Sequence, residues 1–269
     1  MKHAYIAPSQ YLHLIPEDSD FHLLLAHLLE DKTYVDFYKA RQEQGDFIII
    51  DNGAFEFHKP LSVDKYYKLV NNSGLHPDVV VAPDYPFEDW AKTVDSTSKF
   101  IEEYGNYFDI NKTNVMAVPQ SVKGDYLGWI KAYSEFVLME DVEFIGMSIL
   151  GIPNAFCSLT GTDAISFNRV FASLYLRGNN IINMEKKHHY LGCEEPRELL
   201  MQKQIGIAYS NDSSTAFWHA INGILFDDTA SGLVNGKTKI PVDFSLEYDE
   251  SHVPMIEENI RWINSLMSK

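Results

Sequence analysis

Carboxylates stand directly after several of the apolar runs in this sequence. Asp51 ends the run Phe47–Ile50, and the small-residue turn Asn52-Gly53-Ala54 comes next. Asp84 and Asp212 occupy the same place after two later runs. Two neighbouring carboxylates can divide labour, one as a nucleophile or stabiliser of positive charge and the other as a proton shuttle. Such a pair suits displacement at the anomeric carbon of a sugar. The structural alternative is that these residues only cap the helices that follow.

Strand-like apolar segments alternate with helix-like segments, which is typical of an α/β fold with a parallel sheet. An eighth strand is predicted near 239–244, and apolar spacing predicts a helix over 21–29. The pattern indicates a (β/α)₈ TIM barrel with a single domain over residues 1–269. A doubly wound sheet is disfavoured because the first strand-to-helix turn has no Gly-x-Gly-x-x-Gly fingerprint. The other seven predicted strands are 3–7, 47–50, 78–82, 115–118, 144–149, 188–192 and 206–210.

In such a barrel the loops after the strands open on one face, so side chains distant in sequence would share one cavity. No Ser or Cys nucleophile with a His base stands out, and no His pair has metal-ligand spacing. We therefore expect neither a metal nor another cofactor. The residues expected around the cavity are Asp51, Asp84, Gln120, Gly146, Ser148, Tyr190, Gly192 and Asp212.

The net charge of −16 argues against a broad nucleic-acid-binding surface, since phosphates are held by Lys and Arg. Lys186, Lys187 and Arg197 could still form a local basic groove, with a solvated loop as the alternative. No apolar run is long enough to cross a membrane. The first residues do not resemble a signal peptide, and the two cysteines give no disulfide framework. We expect a protein of the reducing cytoplasm.

Six short motifs follow one another between residues 47 and 215: Asp51-Asn52-Gly53-Ala54-Phe55-Glu56, Pro83-Asp84, Val118-Pro119-Gln120, Ile145-Gly146-Met147-Ser148, His189-Tyr190-Leu191-Gly192 and Asn211-Asp212-Ser213-Ser214. They resemble, in the same order, motifs of the queuine/archaeosine tRNA-guanine transglycosylases, in which the first motif reads Asp-Ser-Gly-Gly-Phe-Gln. The Cys-x-Cys-x-x-Cys…His zinc site of the tRNA enzymes has no counterpart here, and the loop at Asp212 lacks their Asp-Cys-Val sequence. The chain therefore more closely resembles the DpdA-like enzymes of phages and bacteria, which insert 7-deazaguanine bases into DNA. If a phage encodes it, the expected location is the host cytoplasm.

The resemblance implies a base exchange in which Asp212 attacks the anomeric carbon of a guanine nucleotide and forms a covalent glycosyl–aspartate. Asp51 would act as general acid and base, and a 7-deazaguanine would then displace Asp212. Asp84 and Gln120 would bind the purine edge together with the backbone of the Gly146 loop. An aromatic side chain such as Phe55 or Tyr85 would stack on the base, with a place in the core as the alternative for each. The implied partners are a 7-deazaguanine base and a nucleic acid, with DNA favoured over tRNA.

Three other functions are compatible with the same residues. The chain could be a tRNA-guanine transglycosylase acting on RNA, or a nucleosidase or glycoside hydrolase that uses water as acceptor. It could also be a non-catalytic subunit of a transglycosylase, although the presence of both Asp51 and Asp212 argues against this. Because an acidic barrel holds a polyanion poorly, a second copy of the chain or an accessory protein would help it to bind.

Overall fold

Eight parallel strands form a nearly closed barrel with helices between them. The computed structural model describes residues 1–106, 113–157, 164–193, 195–226, 242–244 and 246–268. Each strand from β2 to β7 pairs with the next one in sequence, and β8 pairs with β1. β1 lies beside β2, which nearly closes the barrel. The strands are β1 Lys2–Tyr5, β2 Phe21–Leu25, β3 Phe47–Asp51, β4 Val79–Val81, β5 Asn114–Ala117, β6 Val142–Gly146, β7 Lys187–Tyr190 and β8 Ala208–Ser213.

The helices surround the barrel, and side chains cap several of their first turns. Asp31 accepts hydrogen bonds from two backbone N–H groups of α1, and Ser62 accepts one from Lys65 of α3. Within the described residues, no helix combines the length and the apolarity needed to cross a membrane. The helices are α1 Lys32–Glu43, α2 Ala54–Phe57, α3 Val63–Ser73, α4 Trp90–Tyr104, α5 Tyr126–Leu138, α6 Gly151–Phe156, α7 Ala164–Gly178, α8 Pro196–Ile205, α9 Thr215–Ile221 and α10 Val253–Ser268, with short 3₁₀ turns at Ser9–Leu14, Ala26–Leu28 and Glu250–His252.

The barrel confirms the predicted fold, but one of its strands is not where the sequence indicated. The segment 21–29, predicted as a helix, contains β2 followed by a 3₁₀ turn. All five residues of β2 are buried, and a fully buried apolar run has no periodicity that separates a strand from a helix. The strand predicted near 239–244 lies partly outside the described residues, and its described part, Val242–Phe244, is not a strand.

The core has two layers because alternate strand residues point to opposite faces of the sheet. One layer fills the inside of the barrel, and the other packs between the strands and the helices. Ile49 of β3 belongs to the inner layer, so Asp51, two residues later, points into the mouth at the carboxyl ends of the strands. The inner layer consists of Ala4, Ile6, Phe21, Leu23, Leu25, Ile49, Val79, Val81, Met116, Val118 and Phe144.

Candidate active site

Asp51, Asp84 and Asp212 lie at the same end of the barrel, where the strands finish. Their side chains are buried, with only 9%, 3% and 4% of each residue exposed. The charges of Asp84 and Asp212 both act on Asp51, which places the three carboxylates within electrostatic reach of one another. The sequence predicted Asp212 in the loop after the strand, whereas the structure places it within β8. The barrel thus brings together Asp51 of β3, Asp84 after β4 and Asp212 of β8.

Asp212 is held by one side chain of the neighbouring strand β7 and by one backbone group of the loop after that strand. Its Oδ1 lies 3.0 Å from His189 Nε2 and accepts a hydrogen bond of 3.0 Å from the backbone N–H of Gly192. His189 Nδ1 lies 2.8 Å from the hydroxyl of Ser210. With Nε2 protonated, the imidazole donates to Asp212 and accepts from Ser210. These contacts fix the position of one carboxylate oxygen of Asp212.

Asp51 has a different environment. Its Oδ2 accepts a 2.8 Å hydrogen bond from the N–H of Gly53, which adopts a left-handed conformation with φ of 80°. Burial raises the pKa of Asp51 well above its ordinary range, and the nearby charge of Glu56 raises it further. Burial also raises the pKa of Glu56 to about 6, with a contribution from Asp212. Asp51 therefore favours a protonated carboxyl group that can donate a proton.

Asp84 is the acceptor of two side-chain amides. Asn52 Nδ2 donates to Asp84 Oδ1, and Gln120 Nε2 donates to Asp84 Oδ2, both at 2.7 Å. Burial raises the pKa of Asp84 to about 6, although both hydrogen bonds act in the opposite direction. The Gln120 Oε1 atom is buried without a hydrogen-bond partner among the described residues. This network joins the loops after three consecutive strands and leaves one acceptor unused.

Four other predicted residues lie at this end of the barrel with mixed roles. Gly146 points inward, where a Cβ atom would come within 2.7 Å of Val118 Cγ2, so apolar side chains already fill that space. Ser148 Oγ accepts backbone N–H bonds from Leu150 and Gly151 and so stabilises the start of α6. Gly192 contacts Asp212, whereas Phe55 is largely exposed in α2.

Tyr190 does not line the barrel mouth. Its hydroxyl lies 2.6 Å from Ser173 Oγ of α7, and its ring lies 5.3 Å from the Arg169 guanidinium carbon. Because side chains alternate along β7, the placement of His189 inside the barrel puts Tyr190 outside it. Its predicted contact with the substrate is therefore not supported by its position.

The predicted basic groove is not assembled around the three carboxylates. Lys186 donates to the carbonyls of Met139 and Val142, and Lys187 pairs with Glu143 at 3.1 Å, all at the starts of strands β6 and β7. Residues that begin a strand lie at the opposite end of the barrel from those that follow it. Arg197, half-buried in the first turn of α8, lies on the side where β7 ends.

Three residues of the site were not predicted from the sequence. His189 contacts Asp212, Asn52 contacts Asp84, and Glu56 acts on Asp51. Asn52 and Glu56 stand in the same short motif as Asp51, and that closeness was the available signal. His189 would have required the register of β7 against β8, which places it opposite Ser210.

The arrangement provides one carboxylate fixed by hydrogen bonds and one carboxyl group whose pKa is raised by burial, and this combination suits displacement at a sugar carbon. Among the described residues, no group of three or more His, Cys, Asp or Glu side chains is arranged to hold a metal ion. Two cavities lie away from the carboxylates. One of about 430 Å³ is formed by α7 and α8, and one of about 170 Å³ lies at the amino ends of the strands.

Comparison with models of known protein families finds no match to this sequence. A search of curated proteins finds none with significant similarity. The function is therefore inferred from the residues of this chain and from their geometry.

Proposed function

We propose that the protein is a base-exchange glycosyltransferase that replaces guanine in nucleic acid with a 7-deazaguanine derivative through a covalent glycosyl–aspartate. One observation carries the proposal. Asp212 and Asp51 lie at one barrel mouth, where hydrogen bonds fix Oδ1 of Asp212 and burial raises the pKa of Asp51. A double displacement at a sugar needs a positioned carboxylate as nucleophile and a carboxyl group as proton donor.

Asp212 is the nucleophile. A carboxylate oxygen of Asp212 forms a bond to the anomeric carbon while the bond from that carbon to guanine breaks. His189 and the Gly192 N–H hold Oδ1, which orients the carboxylate before the attack. The same contacts stabilise the charge of Asp212 when the second displacement releases it.

Asp51 is the general acid and then the general base. It donates its proton to the departing guanine and takes one from the incoming base, whose nitrogen then attacks the anomeric carbon and expels Asp212. Burial and the charge of Glu56 keep the proton on Asp51 before the first step. Because one base leaves as another enters, the proton balance closes over the cycle.

Asp84 and Gln120 bind the purine. A carboxylate accepts hydrogen bonds from the ring N–H and the exocyclic amine of guanine, and a 7-deazaguanine presents the same two donors. The 2.7 Å hydrogen bonds from Asn52 and Gln120 fix both oxygens of Asp84. The unused Gln120 Oε1 provides a further acceptor.

The acceptor is a nucleic acid, with DNA favoured over tRNA because the chain has no counterpart of the cysteine-rich zinc motif. A base in a duplex cannot reach buried carboxylates, so the target nucleotide must be flipped out or already unpaired. A nucleosidase or glycoside hydrolase would use the same pair of aspartates on water, and the acceptor distinguishes the two reactions.

Labelled guanine tests the proposal on duplex DNA, single-stranded DNA, tRNA and guanosine in parallel. The wild-type protein should exchange label without leaving abasic sites in the nucleic acids or releasing ribose from guanosine, and mass spectrometry should detect a protein–nucleotide adduct. Asp212→Ala should abolish both exchange and adduct, whereas Asp95→Ala, which removes an exposed carboxylate of α4, should leave both unchanged. Abasic sites or free ribose would support a hydrolase, and full exchange by Asp212→Ala would refute the assignment.

A further inference from the structure

Exposed aromatic rings lie along one side of the barrel mouth. Phe57 exposes 47% of its surface and Phe87 exposes 43%, although both follow strands whose ends carry the buried carboxylates. His58, also exposed, lies with its ring centroid 6.1 Å from that of Phe87. We call Phe57, His58 and Phe87 the aromatic rim. Phe55, next to it in α2, is assigned above to the target base and is not part of the rim.

The rim is fixed to the candidate active site. The Phe57 ring lies over Gly53, where a Cβ atom would come within 3.2 Å of it, and Gly53 holds Asp51 through its N–H. His27 contacts the same ring edge-on, with centroids 5.6 Å apart. The hydrogen bond between Asn52 and Asp84 joins the loops from which the rim residues project. The rim is therefore a positioned surface adjoining the carboxylates.

The backbone of the rim is strained. His58 has φ of 53° and Phe87 has φ of 69°, which are left-handed conformations that residues other than glycine seldom adopt. Such conformations persist where the surroundings impose them, and they concentrate at binding sites. Phe87 keeps its left-handed conformation while 43% of its surface is exposed and its ring lies beside that of His58. The two left-handed residues thus hold a pair of exposed rings next to the mouth, where a bound base would meet them.

The charge of the protein limits what can bind there. At a net charge of −16, the chain repels a polyanion overall, and the cations near the rim include the exposed Lys59 and Lys65. A nucleic acid bound here must be held mainly through its bases. Bases present their faces to aromatic rings in a single strand, whereas stacking hides those faces in a duplex.

We propose that the aromatic rim stacks on the bases that flank the target nucleotide, so that the substrate is a single-stranded or locally unwound nucleic acid. This inference rests on the proposed function and adds the conformation of the substrate. The target base enters the mouth towards Asp51 and Asp84, and the neighbouring bases lie on Phe57 and Phe87. Lys59 and Lys65 contact adjacent phosphates.

Fluorescence anisotropy at low ionic strength tests the inference with a short labelled DNA strand, free or in a duplex. Asp212→Ala serves as the background, which prevents covalent capture. The single strand should bind about 10-fold more tightly than the duplex. Phe57→Leu and Phe87→Leu should each weaken single-strand binding by about 10-fold, within the range for loss of one base–aromatic stack. Phe57→Trp, which keeps an aromatic face, should retain it.

Phe171→Leu is the matched control, because Phe171 of α7 is 46% exposed and lies outside the rim. It should bind as the background protein does, and circular dichroism should show all variants folded. The logarithm of affinity should fall with the logarithm of salt at a slope of about −1.4, as for two phosphate contacts on a single strand.

Equal or tighter duplex binding, unchanged binding by both Leu variants, a much steeper salt slope, or no detectable single-strand binding would overturn the inference. The outcome is separable from that of the proposed function. Rim-dependent binding without any base exchange by the wild-type protein would refute the reaction and leave the rim. Base exchange that is insensitive to Phe57→Leu and Phe87→Leu would refute the rim and leave the reaction.

Discussion

Replacing Asp84 by Asn should stabilise the protein at neutral pH while it impairs base binding. Burial raises the pKa of Asp84 from 3.8 to about 6 in the folded protein. Between these two values the folded state holds a proton that the unfolded state has released. Stability is then lost as the pH rises through this range, because ionising the buried group costs free energy. An amide of the same shape does not ionise and avoids this loss.

The size of the effect follows from the pKa. A rise from 3.8 to about 6 corresponds to about 3 kcal/mol, at about 1.36 kcal/mol per pKa unit. The hydrogen bonds can be kept, because the new amide accepts from Asn52 and donates to Gln120 once the Gln120 amide has rotated. The melting temperature at neutral pH should therefore rise by up to about 6–12 °C, at about 2–4 °C per kcal/mol for a chain of this size.

Thermal unfolding followed by circular dichroism across a pH series measures this difference. The gain of Asp84→Asn over the wild-type protein should be largest above about pH 6 and should vanish towards about pH 4. Asp89→Asn, at an exposed N-cap where Asn serves as well as Asp, is the control and should change little. A gain that does not depend on pH, or a loss of stability at neutral pH, would refute the assignment of a costly buried carboxylate.

Three further perturbations test other parts of the site. Arg169→Met should destabilise the protein by about 3–5 kcal/mol in denaturant titrations, because Glu198 stays buried and loses an ion-pair partner that is now 2.9 Å away. The double variant Arg169→Met with Glu198→Leu should recover much of this loss. Gly146→Ala should cost about 1–3 kcal/mol, because its Cβ would meet side chains at 2.7 and 2.8 Å; unchanged stability would contradict the tight packing there. Glu56→Gln should lower the pKa of Asp51, so the limb of the pH–rate profile that reports Asp51 should move to lower pH. An unmoved limb would contradict the effect of the Glu56 charge on Asp51.

The sequence was sufficient for the fold because most strands are bounded by turns and alternate with amphipathic helices. It failed at β2, where all five residues are buried and periodicity carries no information. The error did not change the fold, because another segment was assigned as the missing strand. Such compensation shows that a strand count is more robust than the position of each strand.

The placement of the candidate residues could be predicted only as far as the strand ends are informative. Asp51 and Asp212 were expected at one barrel mouth because strand-end residues share one face of a barrel. By the same rule Lys186 and Lys187, which lie at the start of a strand, are at the other end. Tyr190 lies outside the barrel because neighbouring strand positions point to opposite faces. The partners of Asp212 depend on the register between β7 and β8, which single-strand patterns do not specify.

Three aspartates with the same intrinsic chemistry lie in different surroundings. Oδ1 of Asp212 has two hydrogen-bond contacts, Asp51 has burial and the neighbouring Glu56, and Asp84 has both burial and two amide donors. Burial that raises the pKa of Asp51 and Asp84 costs stability at neutral pH, so packing alone would favour apolar residues or amides there. A site that carries this cost is expected where the raised pKa itself is used. The Asp84→Asn variant tests this reasoning directly, since the same change should raise stability and reduce purine binding.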